Sequence, residues 1–308
     1  MKQESQTYTE VYEEGAARLS EAGIEEAGLD ARLLLEFVCG TDRNTLLAHG
    51  DRPVTAEEHE RYEALLTARA AHTPLQHLTG EQDFMGLTFL VNKNVLVPRQ
   101  DTEILVEETL KNLHDGMRIL DLCTGSGCIL LSLLRYSNDC AGVGVDLSAQ
   151  ALGVAKENYE RLRKERPEMA AFFLEGDLFD ALAQKPSREC GETDGLNGQF
   201  DIIVSNPPYI ETDVIGTLMP EVREHEPVMA LDGGADGLSF YRRIVQGAGE
   251  HLKRGGMLFF EIGCEQAESV CEIMERAGFQ EIEVVKDFAG LDRVVYGTWL
   301  EQQGGSYV

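Results

Sequence analysis

The stretch Asp121-Leu-Cys-Thr-Gly-Ser-Gly127 joins the end of an apolar strand to the start of a helix, and it is the most direct indication of the fold. In a doubly wound α/β fold, such a turn lies at the carboxyl edge of the sheet, where ligands bind. Gly125 and Gly127 have no Cβ atom, so a ligand can approach the backbone closely there. We predict a ligand-binding turn after the first strand of a parallel sheet, although the stretch taken alone also fits an ordinary strand-to-helix connection.

Strand and helix patterns alternate from this turn onward, which predicts an α/β fold with a doubly wound, mostly parallel sheet. Two late strands would add an antiparallel edge pair and bring the sheet to seven strands. A polar, glycine-containing insertion is expected at 181–199 and a frayed tail at 301–308. The predicted strands are Arg118–Cys123, Gly142–Leu147, Ala170–Leu174, Phe200–Ser205, Met257–Ile262, Glu281–Asp287 and Arg293–Leu300, and the predicted helices include Ser148–Arg163, Leu238–Leu252 and Glu265–Ala277.

The N-terminal part has a different pattern, and we predict a small all-helical domain over residues 1–80. Thr55 and Glu58 form a capping-box pattern, and Gly40 is a predicted C-terminal cap. A β-hairpin linker is expected at 81–100, followed by the α/β domain at 101–308. The helical domain carries no catalytic constellation, so a substrate-docking role and a purely structural role both stay open. One helix face is predicted from Leu29, Leu33, Leu34, Phe37 and Val38.

Composition narrows the classes of partner. The chain has 54 acidic and 27 basic residues, a formal net charge of -27, which argues against direct binding of nucleic acid. No run of 18 apolar residues is present, and the N-terminus lacks the pattern of a signal peptide, so we expect a cytoplasmic protein without membrane contact. The seven cysteines include no Cys-x-x-Cys pair, which favours reduced thiols and no metal. A monomer is expected.

The strands that follow the first one also lead into carboxylates. Asp146 ends the second strand, where it can accept hydrogen bonds from both hydroxyls of a ribose. Asp177 follows the third strand, where it can accept from an adenine amino group. A dinucleotide fingerprint would need a third glycine at the position of Leu130. These residues predict a ligand that contains adenosine.

The fourth strand ends in Asn206-Pro207-Pro208-Tyr209. The two prolines fix the backbone and remove donors, which leaves the Pro207 carbonyl and the Asn206 side-chain oxygen as acceptors. Two fixed acceptors can take both N–H groups of a primary amide or an exocyclic amine, and Tyr209 can stack on such a planar group. The tetrapeptide therefore predicts a catalytic site that orients a planar nitrogen, although alone it also fits a rigid turn.

Several of these motifs resemble those of one family. The turn at Asp121 is similar to motif one of class I S-adenosylmethionine-dependent methyltransferases, except that Cys123 stands where relatives usually have glycine. The Asn-Pro-Pro-Tyr segment resembles the signature of methyltransferases that act on planar nitrogens. Val97-Pro98-Arg99-Gln-Asp-Thr102-Glu103 and the segment from Glu226 to Arg242 are similar to elements of the HemK/PrmC family, the release-factor glutamine N5-methyltransferases. The resemblance covers nearly the whole chain.

The resemblance implies a seven-stranded Rossmann-like methyltransferase sheet and transfer of a methyl group from S-adenosylmethionine to the glutamine of the Gly-Gly-Gln motif in peptide chain release factors. It implies S-adenosylhomocysteine as the second product. Asn206, Pro207 and Tyr209 would be catalytic, and Pro208 and Phe84 would join them in the substrate site, although core packing fits Phe84 better. The candidate cofactor-binding residues are Asp121, Cys123, Thr124, Gly125, Ser126, Gly127, Asp146, Asp177, Leu178 and Asn206.

The family motif residues Arg99, Thr102 and Glu103 have two open interpretations: a direct role in the site, or helix capping and an interdomain ion pair. Three rival functions also stay open. A related enzyme would methylate a glutamine of a ribosomal protein, and a DNA amino-methyltransferase would share the tetrapeptide but would need a basic surface. A non-enzymatic protein would bind the cofactor without transferring its methyl group.

Overall fold

The computed structural model describes residues 6–183 and 199–300, so most of the expected insertion and the whole expected tail lie outside the described residues. The chain divides into two compact units, one of which contains the residues up to Glu81 together with Met219–His225. The other contains Gln82–Leu218 and the residues from Glu226 onward. No helix among the described residues is long and apolar enough to cross a membrane.

The first unit is helical, and two of its helices begin with a capping box. Thr55 accepts a hydrogen bond from the backbone of Glu58, whose side chain accepts in return from the Thr55 backbone. Thr7 and Glu10 do the same at the first helix. These bonds satisfy backbone donors that a helix start leaves unpaired. The helices are α1 (Tyr8–Glu21), α2 (Ala27–Cys39), α3 (Arg43–Ala48), α4 (Ala56–Ala70) and α5 (Leu75–Thr79), joined by α9 (Pro220–His225) from later in the chain.

The buried face of α2 differs from the predicted one. Leu34 and Val38 are buried as expected, but Leu29 and Phe37 are largely exposed. The prediction was wrong for those two because large apolar residues occupy two neighbouring faces of this helix. The packed face is the one that carries the small residues Ala27 and Ala31, which allow close approach of the other helices. Gly40 ends α2 in the left-handed conformation, as predicted.

A buried ion pair network joins three helices of this unit. The Arg69 guanidinium on α4 donates to Asp30 on α2 at 2.7 Å and to Glu221 on α9 at 3.0 Å. The side chains of Arg69 and Asp30 are only 7% and 8% exposed. Removal of one partner from a buried pair costs ~3–5 kcal/mol. The network therefore holds α9 in a unit from which it is distant in sequence.

The second unit contains a short hairpin and the predicted seven-stranded sheet. The sheet has the order β5-β4-β3-β6-β7-β9-β8, in which β9 is antiparallel to both of its neighbours and the other pairs are parallel. This confirms the α/β prediction and the late antiparallel pair. The strands are β1 (Glu81–Phe84), β2 (Leu87–Leu90), β3 (Arg118–Leu122), β4 (Ala141–Asp146), β5 (Ala170–Glu175), β6 (Phe200–Ser205), β7 (Leu252–Glu261), β8 (Phe279–Lys286) and β9 (Asp292–Trp299).

Helices cover both faces of this sheet, and each face has its own hydrophobic core. Helices α6, α7 and α8 contribute to one core, and α10 and α11 to the other. The strand order reverses between β4-β3 and β6, which creates a crevice at the carboxyl ends of these strands. The helices are α6 (Gln100–Asn112), α7 (Cys128–Arg135), α8 (Ala149–Arg163), α10 (Ser239–His251) and α11 (Ala267–Ala277).

Candidate active site

The turn between β3 and α7 forms one wall of the crevice. Gly125 has φ = +56°, and a Cβ atom there would meet no heavy atom within 4 Å. The space in front of this residue is therefore free for a ligand. Asp121 is fully buried behind the turn and accepts a hydrogen bond from the Thr124 hydroxyl at 2.5 Å. Burial raises the pKa of Asp121 to about 7, while the Thr124 hydrogen bond acts in the opposite direction.

Cys123 adopts the left-handed backbone conformation, with φ = +61°. This conformation costs an L-residue roughly 1–2 kcal/mol, and glycine avoids that cost. The geometry explains why a glycine suits this position and shows that the turn keeps its shape with cysteine. Burial, together with the neighbouring carboxylates Asp146 and Asp121, raises the pKa of the Cys123 thiol well above its usual value.

Asp146 lies at the end of β4 and holds the neighbouring loops together. Its two oxygens accept hydrogen bonds from the backbone N–H groups of Gly125 and Ser148, both at 2.9 Å. A carboxylate offers about four acceptor positions, so two remain for a ligand in the crevice. Burial raises the pKa of Asp146, and the backbone hydrogen bonds oppose that rise.

Asp177 follows β5 and forms an ion pair with Arg243 on α10 at 2.8 Å. Both side chains are nearly half exposed, so the pair contributes little to stability. Leu178 follows with φ = +51° and is buried. The expected role of Asp177 as an acceptor for an adenine amino group stays a prediction. The structure shows that the Arg243 guanidinium also lies beside this carboxylate.

The Asn206-Pro-Pro-Tyr209 segment follows β6 at the point where the strand order reverses. The Asn206 side-chain nitrogen donates to the Thr102 hydroxyl at 3.3 Å. Within residues 6–183 and 199–300, no group donates to the Asn206 side-chain oxygen or to the Pro207 carbonyl. Both oxygens therefore have no donor among the described residues, and their role as acceptors for a substrate amide stays a prediction.

A glycine-containing segment supports Tyr209 from behind. The backbone of Ile210 pairs with Leu231 and Gly233 through hydrogen bonds of 2.9 and 2.8 Å. Gln266 donates to the Tyr209 carbonyl at 3.0 Å. Burial and the nearby Glu261 carboxylate raise the pKa of the Tyr209 hydroxyl, which stays protonated at neutral pH. The long segment that resembles the HemK/PrmC family thus packs directly on the candidate catalytic loop.

Each of the three family motif residues, Arg99, Thr102 and Glu103, forms a hydrogen bond or a salt bridge. Arg99 precedes α6 and forms a salt bridge with the buried carboxyl of Glu226 at 2.5 Å, within the second unit. The Glu103 carboxyl accepts a hydrogen bond from the backbone of Met85 in the hairpin turn at 2.5 Å. Thr102 contacts Asn206 directly, so only this residue of the motif touches the candidate catalytic side chain.

Phe84 lies in the hydrophobic core, where its ring contacts Phe89 edge-on at 6.0 Å between ring centroids. It is 1% exposed and is absent from the walls of the crevice. The structure therefore favours core packing for Phe84 over a wall of the substrate site.

A cavity of about 290 Å³ lies at the carboxyl edge of the sheet. Its size is close to the lower end of the ~300–1,000 Å³ that is usual for small-molecule sites. Of the candidate residues, Phe84, Glu103, Asp121, Gly127, Pro207 and Tyr209 lie outside its lining. The candidates that line it are Arg99, Thr102, Cys123, Thr124, Gly125, Ser126, Asp146, Asp177, Leu178, Asn206 and Pro208.

Sequence reasoning missed three side chains around this site: Arg243, Glu261 and Gln266. Glu261 ends an apolar strand, in the same way as Asp146, and that position could have identified it. Arg243 and Gln266 lie within helix α10 and just before α11, and no spacing in the sequence distinguishes them from surface residues. Among the described residues, no group of three or more His, Cys, Asp or Glu side chains could hold a metal ion.

Comparisons with known proteins show which family this chain resembles. Residues 10–80 match the PrmC N-terminal domain, and residues 99–219 match the methyltransferase small domain. The release factor glutamine methyltransferase of Geobacter sulfurreducens is 42% identical over 279 residues, which cover 91% of this chain and 92% of that protein. The enzyme of the same name from Caulobacter vibrioides is 41% identical over 283 residues, with 91% and 92% coverage.

One similar solved structure carries a name of the same kind. It is a release-factor-specific protein-(glutamine-N5) methyltransferase from Alicyclobacillus acidocaldarius, 30% identical, which covers 69% of this chain and 99% of that one with a TM-score of 0.38. Each of the two bacterial enzymes matches 91% of this chain. The chain is therefore a member of the release factor glutamine methyltransferase family.

Proposed function

We propose that this protein transfers a methyl group from S-adenosylmethionine to the side-chain amide nitrogen of the glutamine in the Gly-Gly-Gln motif of peptide chain release factors. The observation that carries the proposal is a pair of oxygens to which no described group donates: the side-chain oxygen of Asn206, which lines the cavity, and the carbonyl of the next residue, Pro207. A primary amide has two N–H donors, which match two acceptors. The names of the relatives support release factors as the class of substrate.

The residues present fit the proposed cofactor. Gly125 leaves open space in front of its backbone, and Asp146 keeps free acceptor positions for two ribose hydroxyls. Carboxylates of Asp146 and Asp177 line the cavity and can accept hydrogen bonds from hydroxyl and amino groups of such a ligand. When bound, S-adenosylmethionine supplies an electrophilic methyl group on its sulfonium. The products of this reaction would be N5-methylglutamine, S-adenosylhomocysteine and the proton that leaves the amide nitrogen.

The protein's own contribution is orientation. Asn206 and Pro207 hold the amide nitrogen through its hydrogens, so that the nitrogen lone pair faces the methyl group. Each neutral hydrogen bond contributes only ~0.5–1.5 kcal/mol of net binding. Correct orientation can lower a barrier by ~7–11 kcal/mol. Positioning is therefore the larger effect, and Tyr209, as a neutral phenol, offers a planar surface on which the amide can stack.

The proposal also covers how the substrate docks, where the protein acts and whether it is a monomer. We propose that the helical unit, residues up to Glu81 with Met219–His225, docks the release factor, because its match is to the PrmC N-terminal domain. We also propose a cytoplasmic monomer that binds neither membranes nor nucleic acid. The net charge of -27 disfavours contact with phosphate backbones.

Transfer of labelled methyl from S-adenosylmethionine tests the proposal. The acceptors are a purified release factor, the same factor with Gln→Ala in its Gly-Gly-Gln motif, a ribosomal protein and duplex DNA. Label on the intact factor alone is expected. Label on the ribosomal protein or on DNA would show that this acceptor, and not the release factor, is the substrate. Binding of the cofactor without transfer to any acceptor would favour a non-enzymatic protein.

A further inference from the structure

A hydrogen bond across the crevice determines which way the Asn206 amide faces. The Asn206 nitrogen donates to the Thr102 hydroxyl oxygen at 3.3 Å. Thr102 is 3% exposed and lies in the first turn of α6. An amide has its oxygen and nitrogen at nearly equivalent positions, so its orientation depends on its partners. With the nitrogen facing Thr102, the oxygen faces the crevice.

The Thr102 hydroxyl can accept from Asn206 only if its own hydrogen points elsewhere, since a hydroxyl has a single hydrogen. The carboxyl of Glu261, at the end of β7, interacts with the Thr102 side chain. Hydrogen bonding from Thr102 lowers the pKa of Glu261, whereas burial raises it. The Glu261 side chain is 2% exposed, and in the described part of the chain no partner meets the hydrogen-bond criteria for its Oε2 atom. This buried oxygen is therefore available to accept the hydrogen of a nearby hydroxyl.

Glu261 also reaches the other end of the catalytic loop. The Tyr209 hydroxyl donates to its Oε1 atom at 3.5 Å. One carboxyl thus contacts Tyr209 directly and Asn206 through Thr102. Because the two loop residues flank Pro207, their shared contact aligns the loop with the sheet edge.

We propose that Glu261 and Thr102 are positioning residues: the Glu261 carboxylate orients the Thr102 hydroxyl, which in turn keeps the Asn206 oxygen directed at the substrate amide. The inference rests on the proposed function. If the amide were reversed, Asn206 would present N–H donors to the N–H donors of the substrate, and one of the two acceptors would be lost. Neither residue needs to touch the substrate for this effect.

The arrangement depends on the charge of Glu261. Burial raises its pKa to about 7, Thr102 and Arg293 lower it, and Asp101 raises it. Tyr209 and Cys128 are the other titratable groups that interact with it, and Tyr241 on α10 donates to its backbone carbonyl. A carboxylate accepts from Thr102, whereas a protonated carboxyl can donate to it and reverse the chain of hydrogen bonds. Turnover is therefore expected to fall as the pH falls below about 7.

Three variants of the full-length chain test the inference through kcat and KM for the release factor. Thr102→Val keeps the size of the side chain but removes the hydroxyl, and kcat should fall by about tenfold, the worth of one hydrogen bond. Thr102→Ser should restore most of the loss. Thr109→Val is the matched control, because Thr109 is also buried on α6 but donates to the Leu105 carbonyl away from the crevice. The control should keep kcat unchanged.

A second measurement does not depend on turnover. The ¹⁵N-labelled side-chain amide of Asn206, identified by its absence in Asn206→Ala, is followed by NMR between pH 5.5 and 9. Its signals should shift with a midpoint near 7 in the wild-type protein and lose that titration in Glu261→Gln. An unchanged titration in Glu261→Gln, or equal kcat values for Thr102→Val and Thr109→Val, would overturn the inference. The Asn206 titration without any methyl transfer would instead contradict the proposed function alone.

Discussion

Gly233 lies directly against the backbone of Tyr209: a Cβ atom at position 233 would be 2.7 Å from the Tyr209 Cα atom and 2.8 Å from its carbonyl carbon. Backbone atoms cannot move aside as the end of a flexible side chain can. The segment that follows the catalytic loop in sequence therefore determines where that loop lies.

Gly233→Ala should lower kcat by roughly tenfold to a hundredfold, because displacement of catalytic groups by about 1 Å has effects of that size. Cofactor binding should change little, since Asp146 ends β4 and Gly125 lies in the turn after β3, both distant in sequence from Gly233. Gly153→Ala is the matched control: this glycine lies in α8, and a Cβ atom there meets nothing within 4 Å. Equal kcat values for the two variants would show that the Gly233 contact does not position the loop.

Asn206→Ala removes one of the two proposed acceptors for the substrate amide. We expect kcat to fall by about a hundredfold or more, as for other single positioned polar groups, while calorimetry shows that the cofactor still binds. Near-normal turnover of the release factor would refute the assignment of Asn206.

Asp146→Ala should weaken cofactor binding by several-fold or more, because the ribose hydroxyls lose a charged acceptor. The loops also lose the bonds that Asp146 accepts from Gly125 and Ser148. Asp146→Asn keeps one acceptor oxygen, so its dissociation constant for the cofactor should lie between those of Asp146→Ala and the wild type. Calorimetry measures the three dissociation constants, and identical values would contradict the proposed ribose contact.

The pH dependence of stability should reflect the burial of Asp121, whose pKa rises from 3.8 to about 7 on folding. The folded state then binds a proton more tightly than the unfolded state, so this group's contribution is largest at low pH. That contribution is lost as the pH rises from about 4 through about 7. Asp121→Asn cannot ionise and keeps an acceptor for Thr124.

Denaturant unfolding of the cofactor-free protein at pH 5 and pH 8 measures this difference. The free energy of unfolding of Asp121→Asn, relative to wild type, should be higher at pH 8 than at pH 5, by at most roughly 3 kcal/mol, because about two pK units of the shift fall between these two pH values. A difference that is independent of pH would mean that Asp121 does not titrate in this range.

The parts of the fold that follow local rules were predictable from sequence. The alternation of strands and helices, the turn at Gly125 and the capping box at Thr55 each depend on a few neighbouring residues, and the structure has all three. The buried face of α2 was only partly predictable, because Leu29 and Phe37 are as apolar as the residues that are buried. Which face packs depends on the helices around it.

In the candidate site, too, features set by neighbouring residues were predictable and contacts between distant residues were not. Asn206 and Asp146 could be identified because each ends a strand, and parallel strands end at one edge of the sheet. The contacts of Thr102 with Asn206 and of Glu103 with Met85 join residues that are 104 and 18 positions apart, and no local pattern encodes them. Their roles followed only from the packed structure.

The assignment of α9 to the helical unit has a consequence for the covalent chain. The polypeptide passes between the two units at three places, after Glu81, after Leu218 and before Glu226. A protein shortened to begin at Gln82 would retain Glu221 but lose both Arg69 and Asp30, its partners in the buried network. The helical unit is therefore not a detachable N-terminal module, and a deletion at one boundary would leave a fragment of it inside the catalytic sequence.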